Sequence, residues 1–236
     1  MCSSSAGVDG MGVAGETGLG NSVWVMQYDF ATIPAKDRYK LMVSTIVPRP
    51  VAWVVTKSAA GVINAAPYSF FNGVGGDPPL ISISVEGKSG GGRKDTAANI
   101  RETGEFVVNL VDFAVAPEMV VTAIDFGAEV SEVAEAGLAV VASVKVSAPR
   151  IVRSPVAFEC ELYKLVELPH ERDLVLGRIV YMHIADEAVL DAARCYVDTP
   201  RLDLVGRMHG GGWYSRTREQ FEVPRMTVEG WKGKAG

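Results

Sequence analysis

The stretch Arg93-Lys94-Asp95-Thr96 sets two cations, a carboxylate and a hydroxyl at the start of a helical pattern over residues 96–102. Free backbone N–H groups and the positive end of the helix dipole gather at such a start, so the segment could hold an anion such as a phosphate. The same residues also suit a solvated basic turn before an ordinary helix, with Asp95 or Thr96 as its cap and Gly104 as its stop. Upstream, Pro48-Arg49-Pro50 presents another cation at the head of a strand. The run Asn64-Ala65-Ala66-Pro67-Tyr68-Ser69-Phe70-Phe71-Asn72 then combines small residues, amides and aromatics. Such a run suits a flat polar ring, and it equally suits a strand with a proline irregularity and two core phenylalanines.

Three other motifs match only in letters. Gly10-Met11-Gly12-Val13-Ala14-Gly15 has the dinucleotide-fingerprint spacing, but no strand precedes it and no amphipathic helix follows. Gly87-Lys88-Ser89 resembles the end of a P-loop, yet Ser82 stands where its first glycine belongs. Gly87-Lys88-Ser89-Gly90-Gly91 fits a nucleophile elbow, with His170, His183 or His209 as conceivable bases. Glycines and basic residues nevertheless separate Ser89 from the next helix, which in an elbow starts almost at the nucleophile.

The elements around these residues are mostly strands. A helix is expected over 36–45, strands over 51–56 and 62–71 joined through a Gly61 turn, and a strand over 80–85 that alternates Leu80, Ser82 and Ser84 against Ile81, Ile83 and Val85. A strand resumes at 105–111, helical spacing follows over 113–124 and 131–136, and β runs are expected over 138–146, 156–166 and 174–184. Short turns without regular helical crossovers favour an antiparallel barrel with a few peripheral helices over a doubly wound sheet. Residues 1–22, rich in Gly and Ser, read as a disordered tail, 23–225 as one domain and 226–236 as a second tail.

The 236 residues suffice for a well-cored domain, and 48% hydrophobic with 22% charged residues is a globular balance. A formal charge of −5 argues against nucleic acid as a partner. Three widely spaced cysteines, Cys2, Cys160 and Cys195, form neither a disulfide framework nor a metal clip, which points to a reducing, cytoplasmic compartment. No apolar run has the length of a membrane helix. Cys160 is expected to pack as a small core hydrophobe between Glu159 and Glu161, which face the other way.

Several blocks occur in order: Arg49 to Val54, Asn64 to Asn72, Asp77 to Ile81, Lys94 to Ile100, Gly104 to Asn109, Ser154 to Cys160 and Arg207 to Tyr214. In this order and spacing the chain resembles the flavin reductase-like family, over about residues 36–220. The resemblance implies a mainly β, antiparallel FMN-binding split barrel that works as a homodimer. It implies that Arg49, Ala52, Thr56, Asn64, Ala65, Pro67, Tyr68, Ser69, Phe70, Ser84, Lys94, Asp95 and Thr96 contact the flavin. Among them, Arg49, Thr56, Lys94 and Thr96 would take the phosphate or the ribityl chain. His209 and Tyr214 are expected to line an open face for NAD(P)H, and reduced flavin would pass to a separate monooxygenase component. A flavin-binding electron carrier, and an oxidoreductase acting directly on a small organic substrate, are alternatives of the same resemblance. The chain departs from the family at Val55, where a hydroxyl is usual. Gly90-Gly91-Gly92 lengthens the loop before Lys94 and predicts a mobile segment.

Overall fold

The computed structural model describes residues 12–16 and 22–232. The chain falls into two compact units, Met1–Ile46 with His209–Gly211, and Val47–Met208 with Gly212–Gly236. In the first, β1 (Gly12–Glu16) pairs antiparallel with β2 (Ser22–Met26), and α1 spans Ala35–Thr45, close to the expected helix. The paired β1 corrects the expectation of a wholly structureless tail, because a backbone ladder needs no amphipathic side-chain pattern. Gly12 to Gly15 of the fingerprint-like motif lie in β1, and its first two residues fall outside the described residues.

The second unit begins with β3 (Arg49–Pro50), β4 (Ala52–Lys57), β5 (Ile63–Tyr68), β6 (Phe71–Gly76), β7 (Pro79–Val85), α2 (Asp95–Thr103) and β8 (Glu105–Leu110). It continues with α3 (Ala116–Val121), α4 (Glu132–Glu135), β9 (Val140–Val141), β10 (Arg150–Ile151), β11 (Val156–Leu168) and β12 (Arg172–Ile184). The short strands β13 (Val189–Asp191), β14 (Tyr196–Val197), β15 (Val205–Arg207) and β16 (Tyr214–Arg216) follow. Seven strands form one sheet in the order β5-β4-β8-β11-β12-β7-β6, with every neighbour antiparallel. Its two edges, β5 and β6, are separated in sequence only by Ser69 and Phe70. A seven-stranded sheet whose first and last strands meet at a two-residue corner has to roll up, and no ladder joins those edges among the described residues. The fold is therefore a split antiparallel barrel.

Rolling gives the sheet an inner and an outer face, and β4 is buried on both. Ala52 and Val54 point inward with Ile81, Ile83, Phe106, Val108 and Val175. Val51, Trp53 and Val55 point outward under Val115, Met119, Val133 and Ile151. The Trp53 indole donates to Thr122 Oγ1 at 2.8 Å, so this large ring is buried without losing its polar contact. Inside the barrel the Phe106 ring lies directly on Gly177, where a Cβ would collide with it. Cys160 is buried in the inner cluster, as its expected packing role requires, and burial pushes its thiol pKa up.

Two expected elements differ. The strand over 62–71 is broken at Ser69 and Phe70 because the chain there crosses from one sheet edge to the other. The β run over 138–146 shrinks to β9, and the N–H groups of Val144 and Lys145 donate to the Glu159 carboxylate, at 2.8 and 2.6 Å, in place of a strand partner. Glu159 is fully buried, held also by His183 Nε2 at 2.7 Å, and strand alternation, unbroken in the pairing with β8, sends Cys160 inward. No helix among the described residues is long and apolar enough to cross a membrane.

Candidate functional site

A cleft of about 460 Å³ opens where β5, the loop after β7, the start of α2 and residues 122–132 meet. Asn64, Pro67, Tyr68, Lys94, Asp95 and Thr96 line it together, although they come from segments about thirty residues apart. The helix α2 runs nine residues and stops at Gly104, whose φ of 71° suits glycine and whose N–H closes on Ile100 O at 2.9 Å. Its N-cap is Lys94, not Asp95 or Thr96, and no side chain caps it. Both candidate caps are committed elsewhere: Asp95 accepts from Lys88 Nζ at 3.0 Å, and Thr96 donates to Asn64 Oδ1 at 2.8 Å. The N–H groups of the first turn therefore lack a side-chain acceptor, which is the condition for anion binding at a helix start.

The charges around this start are unevenly held. Of the two expected cations, Arg93 turns away to the fully buried Asp173 at 3.2 Å and to Glu167 at 3.1 Å. Lys94 stays at the cleft, 3.6 Å from Glu86 and 3.7 Å from Asp125, distances that give ion pairing without a hydrogen bond. Such contacts are weak and exchangeable, so an arriving anion can displace them. The glycine loop expected to be mobile is folded as a turn: Lys88 N–H meets Gly92 O at 2.8 Å, Gly91 N–H meets Lys88 O at 3.0 Å, and the Gly92 N–H donates to the Glu171 carboxylate. Gly91 and Gly92 have φ of 88° and 90°, so glycine serves the turn geometry there.

Behind the cleft wall runs a buried polar network. Asn99 Nδ2 donates to Thr56 Oγ1 at 2.9 Å, Thr56 Oγ1 donates to Asn64 Oδ1 at 3.3 Å, and Asn64 Nδ2 donates to Glu132 Oε1 at 2.9 Å. The second Glu132 oxygen accepts the Ala65 N–H at 3.1 Å. Burial raises the Glu132 carboxyl pKa, hydrogen bonds from its own backbone, Ala65 and Asn64 lower it, and the Asp95 charge raises it, for a net upward shift. Tyr68 is only 6% exposed, and its hydroxyl meets Thr96 in a contact that falls outside ideal hydrogen-bond geometry. Burial, the first cause, pushes its pKa upward. A buried hydroxyl without a well-formed hydrogen bond costs up to about 1–3 kcal/mol unless something supplies one.

The remaining expected residues lie outside the cleft lining. Thr56 and Ala65 stand behind it, and Ala52 is sealed in the barrel interior. Arg49, 5% exposed, donates to Ser69 Oγ at 3.4 Å and to Met208 O at 2.5 Å. Ser84 accepts from Arg172 Nη1 at 3.1 Å, and the Arg172 guanidinium lies 5.9 Å from the Phe70 ring, so these three form a separate cluster. The Tyr214 ring stacks under Arg207 at 4.8 Å, and the exposed His209 belongs to the first compact unit. Val55, where a hydroxyl is usual, packs in the outer apolar cluster on the face opposite Thr56. Sequence reasoning missed Glu132, Asn99 and the Lys88 ion pair. Glu132 looked like an ordinary glutamate in a short helix, and its partners lie more than sixty residues away, so no local pattern could reveal it.

Among the described residues no group of three or more His, Cys, Asp or Glu side chains could hold a metal ion. A split barrel whose polar cleft joins an uncapped helix start, two lysines and small-residue backbone is suited to hold a small anionic ligand. The chain belongs to the flavin reductase-like family, since the family model described as a flavin reductase like domain matches residues 43–200. It is 38% identical over 209 residues to an uncharacterized protein of Deinococcus radiodurans, covering 87% of this chain and 92% of that one. Among solved structures it is similar to the 2-nitrobenzoate 2-nitroreductase NbaA of Pseudomonas fluorescens, at 35% identity and TM-score 0.79, covering 86% of this chain and 98% of that one. It is equally similar to nitrilotriacetate monooxygenase component B from Bacillus cereus, at 35% identity and TM-score 0.79, with 84% and 98% covered.

Proposed function

We propose that the protein binds FMN in the α2 cleft and reduces it with NAD(P)H, releasing reduced flavin to a separate oxygenase component. The observation that carries this reading is the uncapped start of α2, which opens beside Lys94 into the cleft that the buried Tyr68 also lines. The residues fit the group. Lys94, Lys88 and the first N–H groups of α2 would hold the phosphate, and the Asn64–Tyr68 backbone would lie along the ring. The flavin supplies hydride and single-electron chemistry when bound, so the protein's task is to seat and orient it. The roles expected of Arg49, Ser69, Phe70 and Ser84 toward the flavin, and of His209 and Tyr214 toward the nicotinamide, belong to this proposal, as does a homodimeric assembly measurable by light scattering.

Similarity to a monooxygenase component B supports transfer of reduced flavin to a partner. Equal similarity to a nitroreductase favours a second reading, in which a small nitroaromatic is reduced at the bound flavin. The test is anaerobic mixing of the protein with FMN and NADH or NADPH while the visible flavin band is followed. Bleaching supports the reductase. Binding without bleaching by either nucleotide defeats it and leaves a flavin carrier. Subsequent reoxidation by a nitrobenzoate, with product formed, favours the second reading over transfer.

A further inference from the structure

The loop that joins β7 to α2 forms one wall of the cleft. Its base is closed by an antiparallel bridge between Gly87 and Arg93, and Lys88, Ser89, Gly90 and Gly91 line the cleft. Beyond the loop's own turn, and among the described residues, two hydrogen bonds hold it. On the inner side Lys88 Nζ donates to Asp95 Oδ1 at 3.0 Å, and on the outer side the Gly92 N–H donates to the Glu171 carboxylate. Glu171 lies in the turn between β11 and β12, is exposed, and does not line the cleft.

Two features of that turn suit a grip on the loop. His170 and Glu171 have φ of 63° and 55°, a left-handed pair that Asn and Gly adopt at much lower cost. A hairpin turn alone would be better served by Asn-Gly, so what the strained choice adds at position 171 is a carboxylate. Gly87 is fitted to the same turn, since a Cβ there would meet His170 O at 2.8 Å and Glu171 Cβ at 3.1 Å. Both ends of the glycine loop therefore rest on one turn, Gly87 by close packing and Gly92 by a hydrogen bond.

We propose that residues 87–93 are a flap over the start of α2 and that Glu171 is its latch, a positioning residue that sets how fast a ligand enters and leaves the cleft and not how tightly it is held. Glu171 grips the flap from outside, so the contact is the same with the cleft empty or filled, and a contact made equally in both states cancels from the affinity. It remains in the barrier, because the flap has to release Glu171 before a ligand passes in either direction. Exposure makes the latch releasable, as water replaces the bond while the flap is open. The Lys88–Asp95 pair on the inner side behaves differently, since an anion at the helix start competes with Asp95 for the lysine. The ligand is FMN under the flavin reading above, on which the proposal rests.

Glu171→Asn is the informative change. Asn suits a left-handed φ better than Glu does, and its side chain is one carbon too short to reach Gly92 from the same turn. The variant should melt no lower than the wild-type protein, which separates a latch from a residue that merely supports the fold. Stopped-flow quenching of FMN fluorescence should give association and dissociation rate constants that both rise about fivefold, the worth of one hydrogen bond, while the dissociation constant changes by less than about twofold. The Gly92 amide, followed by NMR hydrogen exchange without flavin, should exchange faster by a similar factor.

Unchanged rate constants overturn the inference and leave the flavin reading standing. Faster dissociation alone, with affinity lost in proportion, overturns it as well, because Glu171 would then act only on the filled cleft. Should Glu171→Asn misfold by circular dichroism, Glu171→Gln, which keeps the length and loses the charge, is judged on the same readings. If FMN fails to bind the wild-type protein, the flavin reading falls and the latch is judged on the Gly92 amide, where faster exchange in the variant keeps it and unchanged exchange removes it.

Discussion

In the proposed site Lys94 would carry the phosphate end, because its two acidic neighbours stand at 3.6 and 3.7 Å, too far to saturate its N–H groups. Lys94→Ala should therefore weaken FMN about tenfold or more while changing riboflavin affinity by less than about threefold, since only FMN carries the charge that lysine meets. Equal losses for both ligands would place the phosphate elsewhere. Tyr68→Phe tests the neighbouring buried hydroxyl from the other direction. Removing a buried hydroxyl whose one contact, with Thr96, is poorly formed relieves the unbound protein by about 1 kcal/mol, yet the same change costs ligand affinity if the ligand supplies a better bond. A raised melting temperature together with a weaker flavin complex is the expected pair of results, read by thermal melts with and without ligand. Chemical identity at these positions was legible from one short stretch, Lys94 to Thr96. Which proton goes where was not, because Thr96 is fixed by Asn64 and Asn64 by Glu132, sixty-eight residues further on.

At the scale of elements, two buried carboxylates pin segments that frame the barrel. Asp173 on β12 is fully buried and takes Arg101 Nη2 at 2.6 Å, Arg101 Nε at 3.0 Å and Arg93 Nε at 3.2 Å, tying both ends of α2 to the sheet. The arginine side chains are about one-third exposed, at 36% and 29%, so solvent screens part of this interaction. Asp173→Asn is expected to cost about 2 kcal/mol of stability and to weaken FMN as the α2 start loosens, measured by urea unfolding and by flavin titration. Glu159 holds Val144 and Lys145 in the same manner. Its burial raises the carboxyl pKa, but hydrogen bonds from His183, Val144 and Lys145 outweigh that, and the carboxyl settles below its ordinary value of 4.5. A depressed carboxylate pKa contributes stability above that ordinary value and loses it as pH falls through the folded-state pKa. The Val144 and Lys145 amides should thus exchange hydrogen sharply faster as pH falls below the ordinary carboxylate range, after correction for intrinsic rates, and Glu159→Gln should remove that acid dependence. The strand pattern read from sequence over 138–146 was apolar enough for a β run, and it failed because a carboxylate from β11 claimed the backbone donors a neighbouring strand would have needed.

At the scale of the whole molecule, a ligand that binds only the folded chain stabilises it by mass action. FMN at one hundred times its dissociation constant should add about 2.7 kcal/mol, which for a chain of this size corresponds to a rise of roughly 5–10 °C in melting temperature. No rise at saturating FMN would contradict the proposed function directly. AMP, which has a phosphate but no flavin ring or linear polyol, should give a much smaller rise at equal concentration.

Alternation along β7 put Ile81, Ile83 and Val85 inside the barrel and Leu80, Ser82 and Ser84 outside, and that phase was readable directly because side-chain direction in a strand follows residue parity. The helix stop at Gly104 and the order of the family's blocks were readable for similar reasons, being local or sequential properties of the chain. The corner at Ser69 and Phe70 that brings the two sheet edges together in sequence, the diversion of Arg93 to Asp173, the separation of Ser84 and Phe70 from the cleft and the placement of Glu132 beneath Asn64 were decided only in three dimensions. Each depends on which distant backbone or carboxylate meets a given donor, and that competition among partners has no counterpart in the spacing of residues along the chain.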